Sequence, residues 1–287
     1  MHTTSLLLAA AAASTTLASP ALKSPVEARS CGPNFKNNVF NTPFYSEPDP
    51  NGRFRTLQSY GISSWIGFTT DDASGGDANT VAHQMRIVLT ASNVQAGLNL
   101  VTGPSPPAYL QLLNEPDADF YGQPILSPQQ ASDTIQPFLT ASTSTQFLPP
   151  APAFPETSWL PDFFAACNCA DRFPIILAHI YKPDPNDAIK AIQTVMGQFP
   201  GKTIWITELA PASSPDQGCT LDQAGVINWM NTVVGWASQQ SVIERVFWNC
   251  GEYGPIYSDD ANKCNPSLTN NDGTATPLLQ AYGAICA

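Results

Sequence analysis

The feature that most constrains this chain is an alternation of short apolar runs with longer amphipathic stretches. Proline or glycine often marks the joins between them. The runs have strand length and cover residues 39–45, 63–68, 85–91, 109–115, 145–152, 174–181, 203–210 and 245–250. Strand followed by helix, repeated along the chain, is the pattern of a parallel sheet with helical crossovers.

Four of the intervening stretches predict helices, at residues 127–142, 184–201, 220–240 and 276–286. The first opens with Ser127 and a proline, which is a common helix start, and the second stops at a Pro-Gly pair. Eight strand–helix units in a chain of this length favour a single closed (β/α)8 TIM barrel over an open doubly wound sheet. No glycine-rich phosphate loop follows an early strand, which removes the usual reason for the open sheet. The first three units are the least regular.

The amino-terminal end predicts export. Residues 1–18 contain an apolar stretch too short for a membrane span, followed by small residues, which is typical of a secretory signal peptide. Residues 19–30 are small, proline-bearing and aperiodic, as expected of a flexible leader or propeptide. The catalytic domain would then be 31–287, in a protein that is secreted, either extracellular or associated with the cell wall.

The charge balance narrows the possible partners. Only 12% of the residues are charged and the net charge is −11. Nucleic acid and anionic membrane surfaces attract clustered Lys and Arg, so this composition argues against both. A neutral polymer such as a polysaccharide stays compatible with it. We expect a monomer.

Seven cysteines lie at positions 31, 167, 169, 219, 250, 264 and 286. In an exported chain, cysteines favour disulfides, and no nearby histidine pair completes a zinc pattern, so we expect no metal. Cys167 and Cys169 are so close in sequence that we do not expect them to pair with each other. Cys31 with Cys286 is one pairing that would join the two ends.

Two acids end two of the predicted strands. Glu115 follows the fourth apolar run and Glu208 follows the seventh. In a parallel barrel all strands direct their carboxyl ends to one face, which holds the active site. A solvated strand-end acid is the ordinary explanation for Glu115 alone. With a second acid at the same face, a catalytic pair becomes the better hypothesis. Regular alternation in the seventh strand would put Glu208 on the same side as Ile204 and Ile206.

Other polar and aromatic residues lie at the same predicted rim. His179 and Tyr181 end the sixth run, two residues apart and so on one side of it, and Trp248 ends the eighth. Aromatic faces suit the C–H faces of sugar rings, which makes Trp248, and also Trp65, candidates for stacking on substrate. Paired carboxylates across an aromatic-lined cleft are the requirement for cleaving a glycosidic bond. Asp117 and Asp119 are better explained as loop anchors.

Four motifs in order carry a resemblance. "LLNEPD" (112–117), "AHIY" (178–181), "WITELA" (205–210) and "VFWN" (246–249) together resemble glycoside hydrolase family 128 and the fungal glycosyl hydrolase catalytic-core proteins grouped with it. That family belongs to the clan A glycosidases, which have a (β/α)8 barrel, and it cleaves β-1,3-glucans with retention. The amino-terminal third matches no pattern of the family.

The resemblance implies roles by position. Glu115 would be the general acid/base and Glu208 the nucleophile, with Asn114 binding the sugar 2-hydroxyl. His179 and Tyr181 would line the cleft, and Tyr181 would hydrogen-bond the nucleophile. Glu115 is expected to wait protonated while Glu208 stays ionised, and the two carboxyl groups should lie about 5–5.5 Å apart, the distance typical of retention.

The function expected from these residues is that of an endo-β-1,3-glucanase that binds β-glucan polysaccharide or oligosaccharide and needs no cofactor. A β-1,4- or mixed-linkage glucanase with the same mechanism is a second hypothesis. A wall-associated glucan-binding protein with little turnover is a third, although the presence of both glutamates counts against it.

Overall fold

The computed structural model describes residues 31, 35–40, 52–62, 65–66, 84–88, 90–119, 123–212, 220–249, 266–270 and 272–285. Within them, each of the eight predicted runs contains part or all of a strand. The strands are β1 (Lys36–Phe40), β2 (Trp65–Ile66), β3 (Gln84–Val88), β4 (Tyr109–Leu112), β5 (Gln146–Leu148), β6 (Ile175–Tyr181), β7 (Thr203–Ala210) and β8 (Ile243–Asn249). The prediction of a repeating strand pattern is confirmed.

The described helices are α1 (Arg53–Ser59), α2 (Val94–Thr102), α3 (Pro128–Thr140), α4 (Trp159–Cys167), α5 (Pro185–Gln198), α6 (Gln223–Ala237) and α7 (Pro277–Ala284). The four predicted helices are confirmed as α3, α5, α6 and α7. Ser127 caps α3: its hydroxyl accepts from Gln130 N, and the Gln130 side chain accepts from Ser127 N. Helices α1, α2 and α4 were not predicted.

The strands form one parallel sheet in the order β5-β4-β3-β2-β1-β8-β7-β6. Strand β1 lies in the interior of this order and pairs with both β2 and β8. The first and last strands of the order, β5 and β6, contact each other, but no hydrogen-bonded ladder joins them in the described part of the chain. The structure therefore shows an α/β fold with a parallel sheet, and it does not show the closed barrel that we expected.

The two faces of the sheet pack differently. One face buries strand residues such as Ile176, Ile204 and Ile206 against the helices. The other face buries a separate cluster drawn from the strands and from the segment that follows β5: Ile66, Ile87, Leu148, Ala151, Ile175, Leu177, Trp205 and Phe247. Because adjacent residues of a strand point to opposite faces, membership of a cluster shows which way each side chain points.

One cysteine prediction is wrong. Cys167 and Cys169 form a disulfide, with their Cα atoms 5.1 Å apart, which lies within the usual range for such bonds. Asn168 between them ends α4 in the left-handed conformation, with φ 47°, and this sharp turn brings the two cysteines together. Cys31 is also disulfide-bonded, and its Sγ lies 3.3 Å from the carbonyl oxygen of Ile285. Cys286 itself lies outside the described residues, so its pairing with Cys31 stays a prediction.

The predicted signal peptide (1–18) and leader (19–30) also lie outside the described residues. Among the helices that the structure describes, none combines the length and hydrophobicity of a membrane span.

Candidate active site

The chain turns sharply where β4 ends, and this turn directs Glu115. Leu113 and Glu115 both have left-handed backbone conformations, with φ of 69° and 44°. Non-glycine residues adopt such angles at a cost, and they are concentrated at functional sites. Glu115 is held by a hydrogen bond from its N–H to the carbonyl oxygen of Ala151, at 2.8 Å, and its side chain is buried. Glu115 is therefore not a solvated strand-end acid.

Glu208 reaches the same site because β7 is irregular. Ala178 of β6 pairs with Ile206, but the next residue, His179, pairs with Glu208, so the register skips Thr207. The expectation that Ile204 and Ile206 share a side with Glu208 is wrong, since both isoleucines pack against the helices. The extra residue in β7 reverses the alternation and turns Glu208 to the face opposite Ile206.

His179 lies between the two glutamates. Its Nδ1 is 2.8 Å from Glu115 Oε1, and its Nε2 is 3.4 Å from Glu208 Oε1. All three side chains are almost completely buried. One carboxylate oxygen of each glutamate and one ring nitrogen of His179 lie within 4.8 Å of one another. Three elements, the end of β4, β6 and β7, therefore bring two acids and an imidazole together.

Tyr181 and Asn249 hold the other oxygen of Glu208. The Tyr181 hydroxyl donates to Glu208 Oε2, and the Asn249 amide donates to the Tyr181 hydroxyl. Asn249 is the last residue of β8 and was not singled out in the sequence. The signal for it was its place beside a strand-end tryptophan, since one of two adjacent residues must face the site.

Asn114 is buried beside Glu115, and a second amide positions it. The Nε2 of Gln111 donates to Asn114 Oδ1 at 3.1 Å, so the Asn114 amide nitrogen is left to donate elsewhere. Gln111 is completely buried and was also missed in the sequence, because a single polar residue within an apolar strand has several ordinary explanations. A cavity of about 390 Å³ adjoins Asn114, between the segments that follow β3 and β4.

Trp248 does not lie at the site. It is fully buried against α6 and α7, where its ring packs on Trp229 and Tyr282, and its Nε1 donates to Pro266 O at 2.8 Å. Its neighbour Phe247 belongs to the opposite face, so alternation points Trp248 toward the helices. The prediction that it stacks on sugar is corrected. Trp65 lies in β2, but its side chain is outside what the structure describes.

Asp117 is a loop anchor, as predicted. Its two carboxylate oxygens accept from Ala153 N at 2.7 Å and from Phe154 N at 3.0 Å. These bonds fix the segment that follows β5, on which Phe154 is about half exposed. Burial raises the pKa of Asp117 above its ordinary value, while the backbone hydrogen bonds oppose that rise. For Asp119 the structure adds only that it is exposed.

Burial controls the electrostatics of Glu208. It raises the pKa of this carboxyl to about 8, against the opposing attraction of His179 and the hydrogen bond from Tyr181. Glu208 was expected to stay ionised with the help of hydrogen bonds, and the bond from Tyr181 acts in that direction, but burial outweighs it in the unliganded site. Burial lowers the pKa of His179, but the nearby Glu208 and Glu115 outweigh it and raise that pKa overall.

Two carboxylates and an imidazole at this spacing could also hold a cation. Both ring nitrogens of His179 face a carboxylate, an arrangement that also suits proton exchange among the three groups.

A family model described as glycosyl hydrolase catalytic core matches residues 64–282, which include both glutamates. No curated protein matches the chain.

Several solved structures share the fold. A family 128 (subgroup II) endo-β-1,3-glucanase from Sorangium cellulosum is 21% identical, with a TM-score of 0.68 over 86% of this chain and 97% of that one. A subgroup I endo-β-1,3-glucanase mutant from Amycolatopsis mediterranei, in complex with laminaripentaose, is 22% identical, with a TM-score of 0.65 over 86% and 98%. A subgroup VII oligosaccharide-binding protein from Cryptococcus neoformans is 21% identical, with a TM-score of 0.63 over 92% and 98%.

Proposed function

Because this chain belongs to the glycosyl hydrolase catalytic-core family, we propose that it is a secreted, retaining endo-β-1,3-glucanase. The observation that carries this proposal is the placement of Glu115 and Glu208 around one buried point, with acid oxygens within 4.8 Å of each other. Retaining glycosidases hold their carboxyl groups about 5–5.5 Å apart, whereas inverting enzymes separate them by about 6.5–9.5 Å to admit a water molecule. The short separation supports double displacement.

In the first step Glu208 attacks the anomeric carbon while Glu115 gives its proton to the glycosidic oxygen. The carbon–oxygen bond breaks, the leaving chain departs as an alcohol, and the sugar becomes an ester of Glu208. Tyr181 holds Oε2 of Glu208, which leaves Oε1 as the attacking atom. The amide nitrogen of Asn114, set by Gln111, donates to the sugar 2-hydroxyl as the positive charge develops.

In the second step Glu115 acts as a base. It takes a proton from a water molecule, whose oxygen attacks the anomeric carbon and displaces Glu208. The ester bond breaks, the configuration is the same as at the start, and Glu115 is again protonated. No cofactor is required by these steps.

The proposal includes a closed (β/α)8 barrel. The contact between β5 and β6 supports it, because in a flat sheet of this order they would be the two most distant strands. Leu148 of β5 and Leu177 of β6 also belong to one buried cluster. Secretion through residues 1–18, and action as a monomer on β-glucan, remain part of the proposal.

Laminarin is the substrate that tests the proposed activity. Purified protein should release short laminari-oligosaccharides from it, and NMR of the first product should show the β-anomer. Glu208→Ala should abolish the release, with circular dichroism showing that the variant is folded. Turnover at the wild-type rate in this variant would exclude the assignment.

A β-1,4- or mixed-linkage glucanase is the second enzyme hypothesis, since the same two-glutamate mechanism cleaves β-1,3- and β-1,4-linkages alike. Reducing ends measured on laminarin, a β-1,4-glucan and a mixed-linkage glucan separate the three specificities.

Oligosaccharide binding with little turnover is favoured by one observation: the similar fold of an oligosaccharide-binding protein of the same family. Calorimetry with laminaripentaose, followed by chromatography of the same sample, distinguishes the two functions. Binding with no product from the wild-type protein would establish the binding function instead.

A further inference from the structure

His179 contacts the two acids through different ring nitrogens. Nδ1 faces Glu115 Oε1 at 2.8 Å and Nε2 faces Glu208 Oε1 at 3.4 Å. The ring is completely enclosed, so water does not compete for either nitrogen. The other charged group that acts on it is Asp117, at longer range, while Tyr181 acts on Glu208 from the far side.

A neutral imidazole has one donor nitrogen and one acceptor nitrogen. When Nε2 carries the proton, Nδ1 accepts from Glu115, which requires Glu115 to be protonated, and the Nε2 proton faces Glu208 and favours its ionised form. When Nδ1 carries it, the requirement is reversed. A neutral ring in this position therefore favours opposite protonation states of the two acids.

We propose that His179 is a positioning residue that couples the protonation of the two glutamates, so that the neutral ring with its proton on Nε2 selects protonated Glu115 and ionised Glu208. This inference rests on the proposed function, because only hydrolysis by this pair needs that distribution. In this role His179 acts on the two glutamates and does not serve to contact substrate in the cleft.

The position of the ring proton decides whether the two glutamates are in their reactive protonation states. The reactive form holds two protons on three groups, one on Glu115 and one on Nε2, with a net charge of −1. The same two protons on Nδ1 and Glu208 give a form that neither attacks nor donates. The same two protons on both ring nitrogens leave both glutamates ionised, so that Glu115 has no proton to give. The contact from Nε2 to Glu208 is long in the unliganded site, as catalytic hydrogen bonds often are before substrate binds.

Tautomer measurement by ¹⁵N NMR tests the coupling without any turnover. The chain has three histidines, and His179→Gln identifies the signals of this ring by removing them. Glu115→Gln offers an amide that can donate to Nδ1, as the protonated acid does, so the ring should carry its proton on Nε2. Glu208→Gln offers an amide that can donate to Nε2, so the proton should move to Nδ1. The same tautomer in both variants would overturn the proposal.

Kinetics supply the second readout. His179→Gln should lower kcat/KM on laminarin by at least tenfold and displace the acidic limb of its pH profile to higher pH. A dinitrophenyl laminaribioside, whose leaving group needs little protonation, should recover part of the loss. An equal loss on both substrates with an unchanged profile would mean that His179 only packs. If the wild type hydrolyses nothing, the proposed function fails while the tautomer result still decides the coupling.

Discussion

His179 of β6 pairs with Glu208 of β7 because the register between the two strands skips Thr207. That single extra residue turns Glu208 away from the helix-packed face and towards the end of β4, where Glu115 lies. The catalytic pair thus depends on one irregularity in β7 and on left-handed turns at Leu113 and Glu115.

Glu208→Gln should abolish hydrolysis and make the protein more stable at alkaline pH. The folded-state pKa of Glu208 is about 8, above its ordinary value of 4.5, so the folded protein keeps a proton that the unfolded chain loses across this window. Stability therefore falls as pH rises from 4.5 to 8. The raised pKa of His179 acts in the same direction, since the stability that it contributes is also lost as pH rises.

Urea unfolding at several pH values measures the effect. The variant should exceed the wild type by a few kcal/mol at pH 9, and the difference should shrink to nothing near pH 4. A constant difference at all pH values would show that Glu208 is not protonated in the folded protein.

Tyr181→Phe should shift the acidic limb of the kcat/KM profile to higher pH. The Tyr181 hydroxyl stabilises ionised Glu208, so its loss raises the pKa of that acid further. Each unit of that rise lowers the rate about tenfold on the acidic side of the profile. Tyr282→Phe is the matched control, because it removes a buried hydroxyl that donates to Val246 O at 3.1 Å, on the helix-packed side of β8. The control should keep the wild-type pH profile, and a shift of the same size in both variants would contradict the prediction.

Substitutions at two adjacent residues of β8 should have different effects, one mainly on stability and the other mainly on catalysis. Trp248→Phe should lower the free energy of unfolding by about 1–3 kcal/mol, through lost packing and the lost bond to Pro266, and leave KM unchanged. Asn249→Ala should change stability by only about 1 kcal/mol yet reduce kcat, because Tyr181 loses its donor. Thermal unfolding and steady-state kinetics on laminarin check both. A raised KM in Trp248→Phe would restore the stacking role.

Gln111→Met should reduce kcat about tenfold, which corresponds to one misdirected hydrogen bond. The near-equal volume of methionine preserves packing, but Asn114 Oδ1 loses the donor that orients it. A crystal structure of the variant should show a rotated Asn114 amide. Unchanged kcat would mean that Asn114 needs no such support.

Asp117→Asn should loosen the segment after β5. The amide has one acceptor oxygen where the carboxylate has two, so either Ala153 N or Phe154 N loses its bond. Hydrogen exchange at the amide that loses its bond should accelerate about 10–100-fold, in line with the loss of a charge-assisted bond. Amides of α3 serve as the internal reference, and their rates should not change.

The sequence alone determined the repeating pattern and the candidate acids. Strand runs and the four helices with clear start and stop signals depend on local periodicity. The four helices were predicted close to their observed bounds, and each predicted run overlaps a strand, although the first overlaps only the last two residues of β1. The resemblance to family 128 and its catalytic-core proteins is confirmed by the family model and by the family 128 structures that share the fold. The motifs that carried it also contained Glu115, His179 and Glu208, the three groups that the structure brings together.

Tertiary structure decided the direction of individual side chains. Whether a residue faces the site or the helices depends on a two-residue period, and one bulge at Thr207 reverses it, so the reasoning from regular alternation misplaced Ile204 and Ile206. At the end of β8 the same period puts Asn249 in the site and Trp248 in the core. The Cys167–Cys169 bond depended on the backbone angle of Asn168. Bulges and left-handed turns follow from packing among distant segments, which local sequence patterns do not encode.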